Sequence, residues 1–315
     1  MEISTGTTAG RKRLIKTCVG ELIVSEQQAK KLNVNPRKRL SPQIEKCCLL
    51  LSANVSYENA ARDFRELTGI EVGHSTQQRL VHRTQWKVKS ATETILALSV
   101  DGGKARIRTP EKGPNGWLDY KAITLHGSMC GAWFQENEEL LKYANNQPLA
   151  KVVSCLGDGH PGIWNIIAGI KEPEGRREVL DWYHLMENLH KVGGSMQRLK
   201  EVRAQLWQGN IAGAKNSFSD WINPPKEVEN FLDYLDDHKG RIPNYQLDQE
   251  QGLCIGSGAV ESTIKRISAR IKISGAQWDK KNVSNVLKQR CESDCRTQVI
   301  QQQSWSQILK IGRSS

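Results

Sequence analysis

The chain has 315 residues, enough for about two domains and a substantial buried core. It is basic, with 45 Lys and Arg against 34 Asp and Glu and a net charge of +11. No apolar run approaches the roughly 20 residues that a membrane helix needs, and the first residues lack the layout of a signal peptide. We therefore exclude membrane, secreted-scaffold and wholly disordered classes, and expect a cytoplasmic protein.

The positive charge is concentrated at the two ends of the chain. Residues 1–100 carry 16 Lys and Arg against 9 Asp and Glu, and residues 256–315 carry 11 against 4, so each segment has a net charge of +7. Residues 101–255 have a net charge of −3. A basic surface is typical of proteins that bind a phosphate backbone, although a basic protein without such a partner has the same composition.

Three short helices are predicted after a polar, basic segment, 1–39, which we interpret as an arm or the remnant of a small module. The predicted helices carry start and stop signals at Ser41 with Pro42, at Ser56 with Gly69, and at Ser75. A helix, a short turn with glycine and a helix that opens with Gln and Arg form a helix-turn-helix layout. The alternative is an ordinary three-helix packing unit.

The third predicted helix carries the side chains that would read DNA. If Leu80 packs inward, the polar residues face outward, namely Gln77, Gln78, Arg79 and Arg83. Gln and Arg side chains recognise base edges in the major groove. The sequence therefore predicts DNA contact at this helix.

Strands are predicted from residue 93 onward, with a helical region later in the chain. The strands are residues 94–100, 104–109, 120–126 and 151–156. A run of helices is predicted over 178–250, and a glycine-rich segment then precedes a long helix from about Ala259 whose apolar stripe includes Val260 and Ile267. These patterns divide the chain into 1–39, 40–92, 93–177, 178–250, 251–298 and a flexible tail, 299–315.

Three carboxylates stand out by their positions. Asp101 and Asp158 each close a predicted strand next to glycine, where ligands bind in open α/β sheets. Glu261 lies one turn into the long helix, beside its apolar stripe. Magnesium prefers such hard oxygen ligands, and a pair of ions can activate the attacking oxygen and stabilise the leaving one. On spacing alone, other acids compete for the role: Asp119, Asp181 and Glu172.

The segments around these acids resemble the acidic motifs of bacterial insertion-sequence transposases. They are Val100-Asp101-Gly102-Gly103, Leu156-Gly157-Asp158-Gly159-His160 and Gly256-Ser257-Gly258-Ala259-Val260-Glu261-Ser262. The chain is most similar to the ISKra-type branch of the DDE, RNase H-like transposases, over about residues 40–290. Asp181 and His184 resemble an Asp-x-x-His motif of such enzymes.

The resemblance implies an α/β fold, in which an RNase H-like mixed sheet has flanking helices and a helical insertion and follows an all-α helix-turn-helix region. It implies cleavage and joining of transposon ends with Mg²⁺, or Mn²⁺ as a substitute. Asp101, Asp158 and Glu261 would be catalytic and bind the metal, with Asp181 and His184 in support. After Glu261, four basic residues would contact DNA: Lys265, Arg266, Arg270 and Lys272.

The expected partners are double-stranded DNA at terminal repeats, target DNA and a second copy of the chain in a homodimer or higher oligomer. A transposase would be associated with the bacterial nucleoid. The alternative is a catalytically inactive, transposase-derived DNA-binding protein or regulator, because only Cys18 lies where related proteins often carry paired cysteines. Cys291 and Cys295 have a loose metal spacing, but a single pair supplies too few ligands for a structural zinc.

Overall fold

The computed structural model describes residues 11–31, 34, 38–109, 116–126, 129–221 and 223–293. It has a mixed α/β architecture around a five-stranded sheet, so the predicted α/β class is confirmed. Within these stretches, no helix has both the length and the apolar character needed to cross a membrane. The predicted flexible tail and Cys295 lie outside the described residues.

A small folded unit opens the described chain. Strands β1 (Lys12–Thr17) and β2 (Gly20–Ser25) form an antiparallel hairpin, and helix α1 (Glu26–Lys31) follows. Ile15 and Val24 of the hairpin pack with Ala29 and Val34 in a small core of their own. Over these residues, the chain is a compact module rather than an extended arm.

Three helices come next: α2 (Pro42–Ser52), α3 (Tyr57–Thr68) and α4 (His74–Arg83). They share a separate apolar core to which each contributes, made of Leu40, Ile44, Cys48, Phe64, Val72 and Leu80. The three predicted helices are therefore present and packed together.

The local signals for these helices are mostly confirmed. The Ser41 and Ser56 hydroxyls accept the backbone N–H three residues further on, at 3.3 and 3.1 Å. Gly69 ends α3 in the left-handed conformation, with φ of 69°. The predicted Ser75 cap is wrong, because Gly73 is the N-cap residue of α4 and the helix starts one residue before Ser75.

The central sheet has the spatial order β5–β4–β3–β6–β7. Its strands are β3 (Ile95–Ile107), β4 (Gly116–Leu125), β5 (Met129–Phe134), β6 (Leu149–Gly157) and β7 (Arg176–Leu180). β3, β4 and β5 pair antiparallel, whereas β6 runs parallel to β3 and β7 runs parallel to β6. Helices α5 (Asn137–Asn145) and α6 (Pro161–Ile167) contribute to the apolar core that covers the sheet.

Strand β3 is a single strand where the sequence predicts two strands and a turn. Gly102 and Gly103 are paired within it, opposite Lys121 and Tyr120 of β4. The predicted turn is wrong, because these glycines do not reverse the chain direction; they leave space for a side chain of the neighbouring strand. A Cβ atom at Gly103 would collide with the ring of Tyr120, which is fully buried.

This packing predicts that Gly103→Ala destabilises the fold. The Tyr120 ring is fully buried, and moving it would disturb the contact of its hydroxyl with the Ser268 Oγ, at 3.2 Å. We expect the free energy of unfolding in urea to fall by about 1–3 kcal/mol, as for overpacked cores. The matched control is Gly116→Ala on β4, where nothing lies within 4 Å of the added Cβ. Equal stability of the two variants would contradict the proposed packing.

The described residues between β7 and the glycine-rich segment form five α-helices: α7 (Trp182–Lys191), α8 (Met196–Trp207), α9 (Ile211–Asn216), α10 (Lys226–Asp237) and α11 (Tyr245–Glu250). Their apolar residues, such as Leu189 and Phe231, join the same core as Leu156 of the sheet. The predicted helical start at 178 is wrong, because residues up to Leu180 belong to β7.

Helix α12 (Gly258–Ile271) lies across one face of β3 and β4, as a hydroxyl contact of 3.3 Å between Thr263 and Thr124 shows. Val260 and Ile267 of its predicted apolar stripe are fully buried. A further helix, α13, covers residues 283–293. The first turn of α12 consequently lies near the edge of the sheet at which β6 and β7 end.

Candidate functional site

Three aspartates are aligned across neighbouring parallel strands. Leu156 of β6 is in register with Ser99 of β3 and with Val179 of β7. Two residues further along each chain, the same register aligns Asp101, Asp158 and Asp181. Because neighbouring strands lie about 4.8 Å apart, the alignment brings the three carboxylates to one region of the sheet. Asp101 lies within β3 rather than at its end, which corrects the sequence prediction.

Glu261 reaches the same region from α12. Ala122 pairs with Asp101, so both side chains lie on the same face of the sheet. Thr124 lies two residues on, on the same face, and contacts Thr263 of α12. Asp101 therefore faces the helix that carries Glu261 in its first turn.

The charges of Asp158 and Glu261 act on the carboxyl group of Asp101. Burial raises the pKa of Asp101 above its ordinary value, and the charges of Asp158 and Glu261 raise it further. The backbone N–H of Gly102 and the charge of His184 act in the opposite direction. A bound cation would relieve the repulsion among these acids, so the electrostatics favour cation binding.

Asp181 links β7, α7 and the loop before α12. Its side chain is fully buried, and its Oδ1 accepts hydrogen bonds from the backbone N–H and the Nδ1 of His184, at 2.8 and 3.1 Å. Its Oδ2 accepts one from the backbone N–H of Ser257. Although burial acts to raise the pKa of Asp181, these hydrogen bonds lower it overall. Asp181 thus holds the segment that introduces Glu261 against the end of β7.

His184 is the cationic partner of Asp181. The hydrogen bond to Asp181 raises the pKa of His184 to about 9, although burial alone would lower it. Its ligand atoms and those of Asp181 and Glu261 lie within 4.8 Å of one another, close enough to hold a metal ion. A histidine must be neutral to bind a metal, so the proton on His184 disfavours it as a ligand at neutral pH.

The donor chemistry therefore separates two groups of residues. Asp101, Asp158 and Glu261 offer the anionic oxygens that Mg²⁺ prefers. Asp181 and His184 neutralise each other, and their hydrogen bonds position the elements around the acids. Sequence reasoning missed Ser257, whose contribution comes from its backbone N–H and leaves no residue-type signal.

On α4, one predicted DNA-contact residue is misplaced. Gln77 is fully buried, and its amide lies 3.4 Å from the carbonyl oxygen of Val72. It shares a face with Leu80 and Val81, which are three and four residues further on and also buried. The expectation that Gln77 faces outward is therefore wrong. Gln78 is exposed, as expected.

Arg79 and Arg83 are both exposed on α4, as expected. The Arg79 Nε donates to the carbonyl of Ser75 within the same helix, at 3.1 Å. Arg83 donates to Glu45 of α2 at 2.6 Å, so it braces two helices of the bundle. Arg79 is consequently the better candidate for contact with a base.

On α12, Lys265 is exposed and Arg266 is half-buried; Lys272, directly after the helix, is exposed. The Nζ of Lys265 lies 3.3 Å from a carboxylate oxygen of Glu261. This pair is largely exposed, with 78% of the Lys265 side chain accessible, so its stabilising effect is small. Lys265 thus lies beside Glu261. The sequence predicts that Lys265 contacts a DNA phosphate.

Arg270 does not face away from the apolar stripe, as the sequence predicts; only 1% of it is exposed. Its Nε donates to the carbonyl of Ser52 at 2.8 Å, and its guanidinium lies over the rings of Tyr57 and Trp278. The flat, weakly hydrated guanidinium tolerates such a site better than an ammonium group does. Arg270 therefore joins α12 to the N-terminal helices.

Comparison with known proteins gives no family assignment. No protein-family model matches the chain, and no curated protein matches it.

Proposed function

We propose that the protein is a DNA transposase of the DDE, RNase H-like superfamily, which cleaves transposon ends and joins them to target DNA. The observation that carries the proposal is the convergence of Asp101, Asp158 and Glu261. They come from two parallel strands in register and from a helix across the same face, at positions that match three acidic transposase motifs.

The architecture supports the proposal in two respects. A mixed five-stranded sheet with flanking helices, and a run of helices before Glu261, agree with an RNase H-like core that contains an insertion. The N-terminal helices α2, α3 and α4 have their own core and agree with a helix-turn-helix unit. The two basic ends of the chain favour a polyanionic partner.

Asp101, Asp158 and Glu261 would hold the divalent cations. When bound, Mg²⁺ would supply charge stabilisation to the attacking and leaving oxygens of the phosphodiester. Lys265 lies beside Glu261 and would bind a phosphate oxygen of the substrate. Asp181 keeps α12 in place through Ser257, and His184 keeps Asp181 ionised, so both act as positioning residues.

The decisive experiment uses DNA from both flanks of the gene, incubated with the purified full chain and Mg²⁺ or Mn²⁺. We expect strand cleavage at fixed positions on each flank, followed by joining to a target plasmid. Failure to cleave with either metal would overturn the proposal. Binding to those flanks without cleavage would then favour the alternative, an inactive DNA-binding protein or regulator.

A separate prediction concerns Arg79. If it contacts a base, Arg79→Ala should weaken binding to the cognate end by about 1–3 kcal/mol and relax preference at one position. Fluorescence anisotropy on a set of single-base variants measures both effects. The matched control is Arg62→Ala on α3, where the exposed guanidinium pairs with Asp63. An equal loss on every sequence would make Arg79 a phosphate contact instead.

A further inference from the structure

A cavity of about 670 Å³ lies where the N-terminal helices meet α12 and the segment after it. Arg270 and Trp278 form its buried parts, while Gln78, Arg108 and Asp279 are exposed at its rim. Two residues that the sequence places on a DNA-binding surface, Gln78 and Arg270, thus line one half-open pocket rather than two separate faces.

The buried cation in this cavity lacks a complete set of partners. Arg270 is 1% exposed, and its guanidinium carbon lies 5.0 Å from the ring centroid of Tyr57 and 4.9 Å from that of Trp278. Its Nε is paired with Ser52 and its guanidinium interacts with the Tyr57 hydroxyl, but its Nη2 has no hydrogen bond of good geometry among the described residues. A buried charged donor left unpaired is costly. An acceptor bound in the cavity would remove that cost.

The charges around the cavity indicate which kind of hydrogen-bond acceptor it would bind. Among the described residues that line the cavity, Arg108 and Arg270 are cations and Asp279 is the single carboxylate, which is itself ion-paired with Lys281 at 3.3 Å. Burial, and then the charge of Arg270, lower the pKa of His82, so this ring is neutral at pH 7. Its Nδ1 is also buried without a partner in the described chain. The two arginines therefore leave the cavity positively charged, which fits an anion, and a guanidinium fork fits phosphate oxygens.

We propose that this cavity binds one phosphodiester of a DNA backbone, with Arg108 and Arg270 as its charged donors. The choice of Arg108 and Arg270 as donors does not depend on the proposed function. The choice of DNA as the source of the phosphate rests on the proposed function. A free phosphate group has the same acceptor chemistry and is the other source to be tested. A phosphodiester held here would connect α4 to α12, the helix that carries Glu261.

The test measures binding by the full chain without divalent metal, so that cleavage plays no part. A labelled duplex of arbitrary sequence is titrated at several salt concentrations. Arg108→Ala should weaken binding and flatten the slope of log K against log salt by about 0.9, the value for one phosphate. The matched control is Lys104→Ala, which removes an exposed cation from β3 outside the cavity. The slope of this control should equal that of the parent.

A second variant tests the geometry. Arg270→Lys keeps the charge but removes the planar fork and two of its five N–H donors, so duplex binding should weaken several-fold while the salt slope stays the same. Thermal unfolding shows whether this variant is folded. If it is not, Gln78→Ala at the exposed rim replaces it and should weaken duplex binding without changing the slope. Parental affinity in the folded variant would overturn the role of the cavity.

Competition experiments distinguish the two sources of phosphate. Thymidylyl-thymidine, which has one phosphodiester, should displace the duplex from the parent and do so less well from Arg108→Ala. If inorganic phosphate competes better than the dinucleotide, the DNA assignment is wrong. If Arg108→Ala has the parental salt slope, the phosphate site itself is wrong. A chain that gives the expected binding results but never cleaves flanking DNA would refute only the proposed function.

Discussion

Glu261→Gln should abolish metal-dependent cleavage and joining of element-end DNA while leaving the protein folded. The substitution keeps the size of the side chain but removes its negative charge, and an amide oxygen holds Mg²⁺ weakly in place of a carboxylate. We expect the rate of strand cleavage to fall by several orders of magnitude, since the charge of the transition state would lose its stabilisation. Single-turnover cleavage of flanking DNA at saturating Mg²⁺ measures this loss.

The fold should tolerate this change because Glu261 is not buried; 27% of its side chain is accessible, and it forms an ion pair with exposed Lys265. Without divalent metal, DNA binding should stay the same or tighten, because a negative charge near the phosphates has gone. The matched control is Asp119→Asn, which removes an exposed carboxylate from β4. This control should cleave like the parent.

Asp101→Asn and Asp158→Asn should resemble Glu261→Gln. Residues that act as one unit give losses that do not add, so double variants should be no slower than the slowest single variant. If Glu261→Gln cleaves flanking DNA as fast as the parent, the assignment of the three acids is wrong.

Signals confined to a few neighbouring residues were predictable from the sequence. The hydroxyls of Ser41 and Ser56 cap their helices because a cap depends on the backbone three residues away. Gly69 ends α3 because glycine adopts the left-handed conformation without a Cβ penalty. Buried strand β6 and helix α12 were found from their runs and stripes of apolar residues.

Features that depend on distant residues were not predictable in this way. Gly102 and Gly103 resemble a turn locally, and only the Tyr120 ring across the sheet explains why they lie within a strand. Arg270 resembles a surface cation, and only the rings of Tyr57 and Trp278 explain its burial. In each case the deciding partner is remote in the sequence.

The candidate site also combines features that were predictable from the sequence with features that depend on distant residues. The resemblance of three motifs grouped Asp101, Asp158 and Glu261, but the register that aligns Asp101 with Asp158 follows from strand pairing, and Glu261 reaches them from α12. β7 was missed because its first three residues are charged, Arg176-Arg177-Glu178. Its end, Val179-Leu180-Asp181, nevertheless repeats the pattern at the end of β6, where a short apolar run precedes Asp158. This repetition is the signal that would have placed Asp181 directly after a strand.

The second large effect is expected for Asp181→Asn, which should destabilise the protein and alter the titration of His184. Asparagine has one acceptor oxygen, so it cannot serve both His184 and the backbone N–H of Ser257. Breaking a buried charge pair typically costs about 3–5 kcal/mol, and we expect a loss near the lower limit because 23% of the His184 side chain is exposed. Urea unfolding in the presence of EDTA measures the difference.

The pH dependence of this loss follows from the two pKa shifts. The pKa of His184 is raised from 6.5 to about 9, so its contribution to stability is complete below pH 6.5 and disappears as the pH rises through about 9. The pKa of Asp181 is lowered from 3.8, so its contribution is present above pH 3.8 and disappears as the pH falls through the lower folded value. The stability difference between parent and Asp181→Asn should therefore be largest between pH 3.8 and 6.5.

Two measurements decide whether Asp181 acts through His184. NMR titration of the metal-free protein should give His184 a pKa of about 9 in the parent, with a fall toward 6.5 in Asp181→Asn. The control Asp220→Asn breaks an exposed pair with Arg198 and should lower the free energy of unfolding by less than about 1 kcal/mol. A parental His184 that titrates near 6.5, or a stability difference that is constant from pH 4 to about 9, would show that the buried carboxylate does not hold the imidazolium. The link from β7 through His184 to the loop before α12 would then have to rest on the Ser257 hydrogen bond alone.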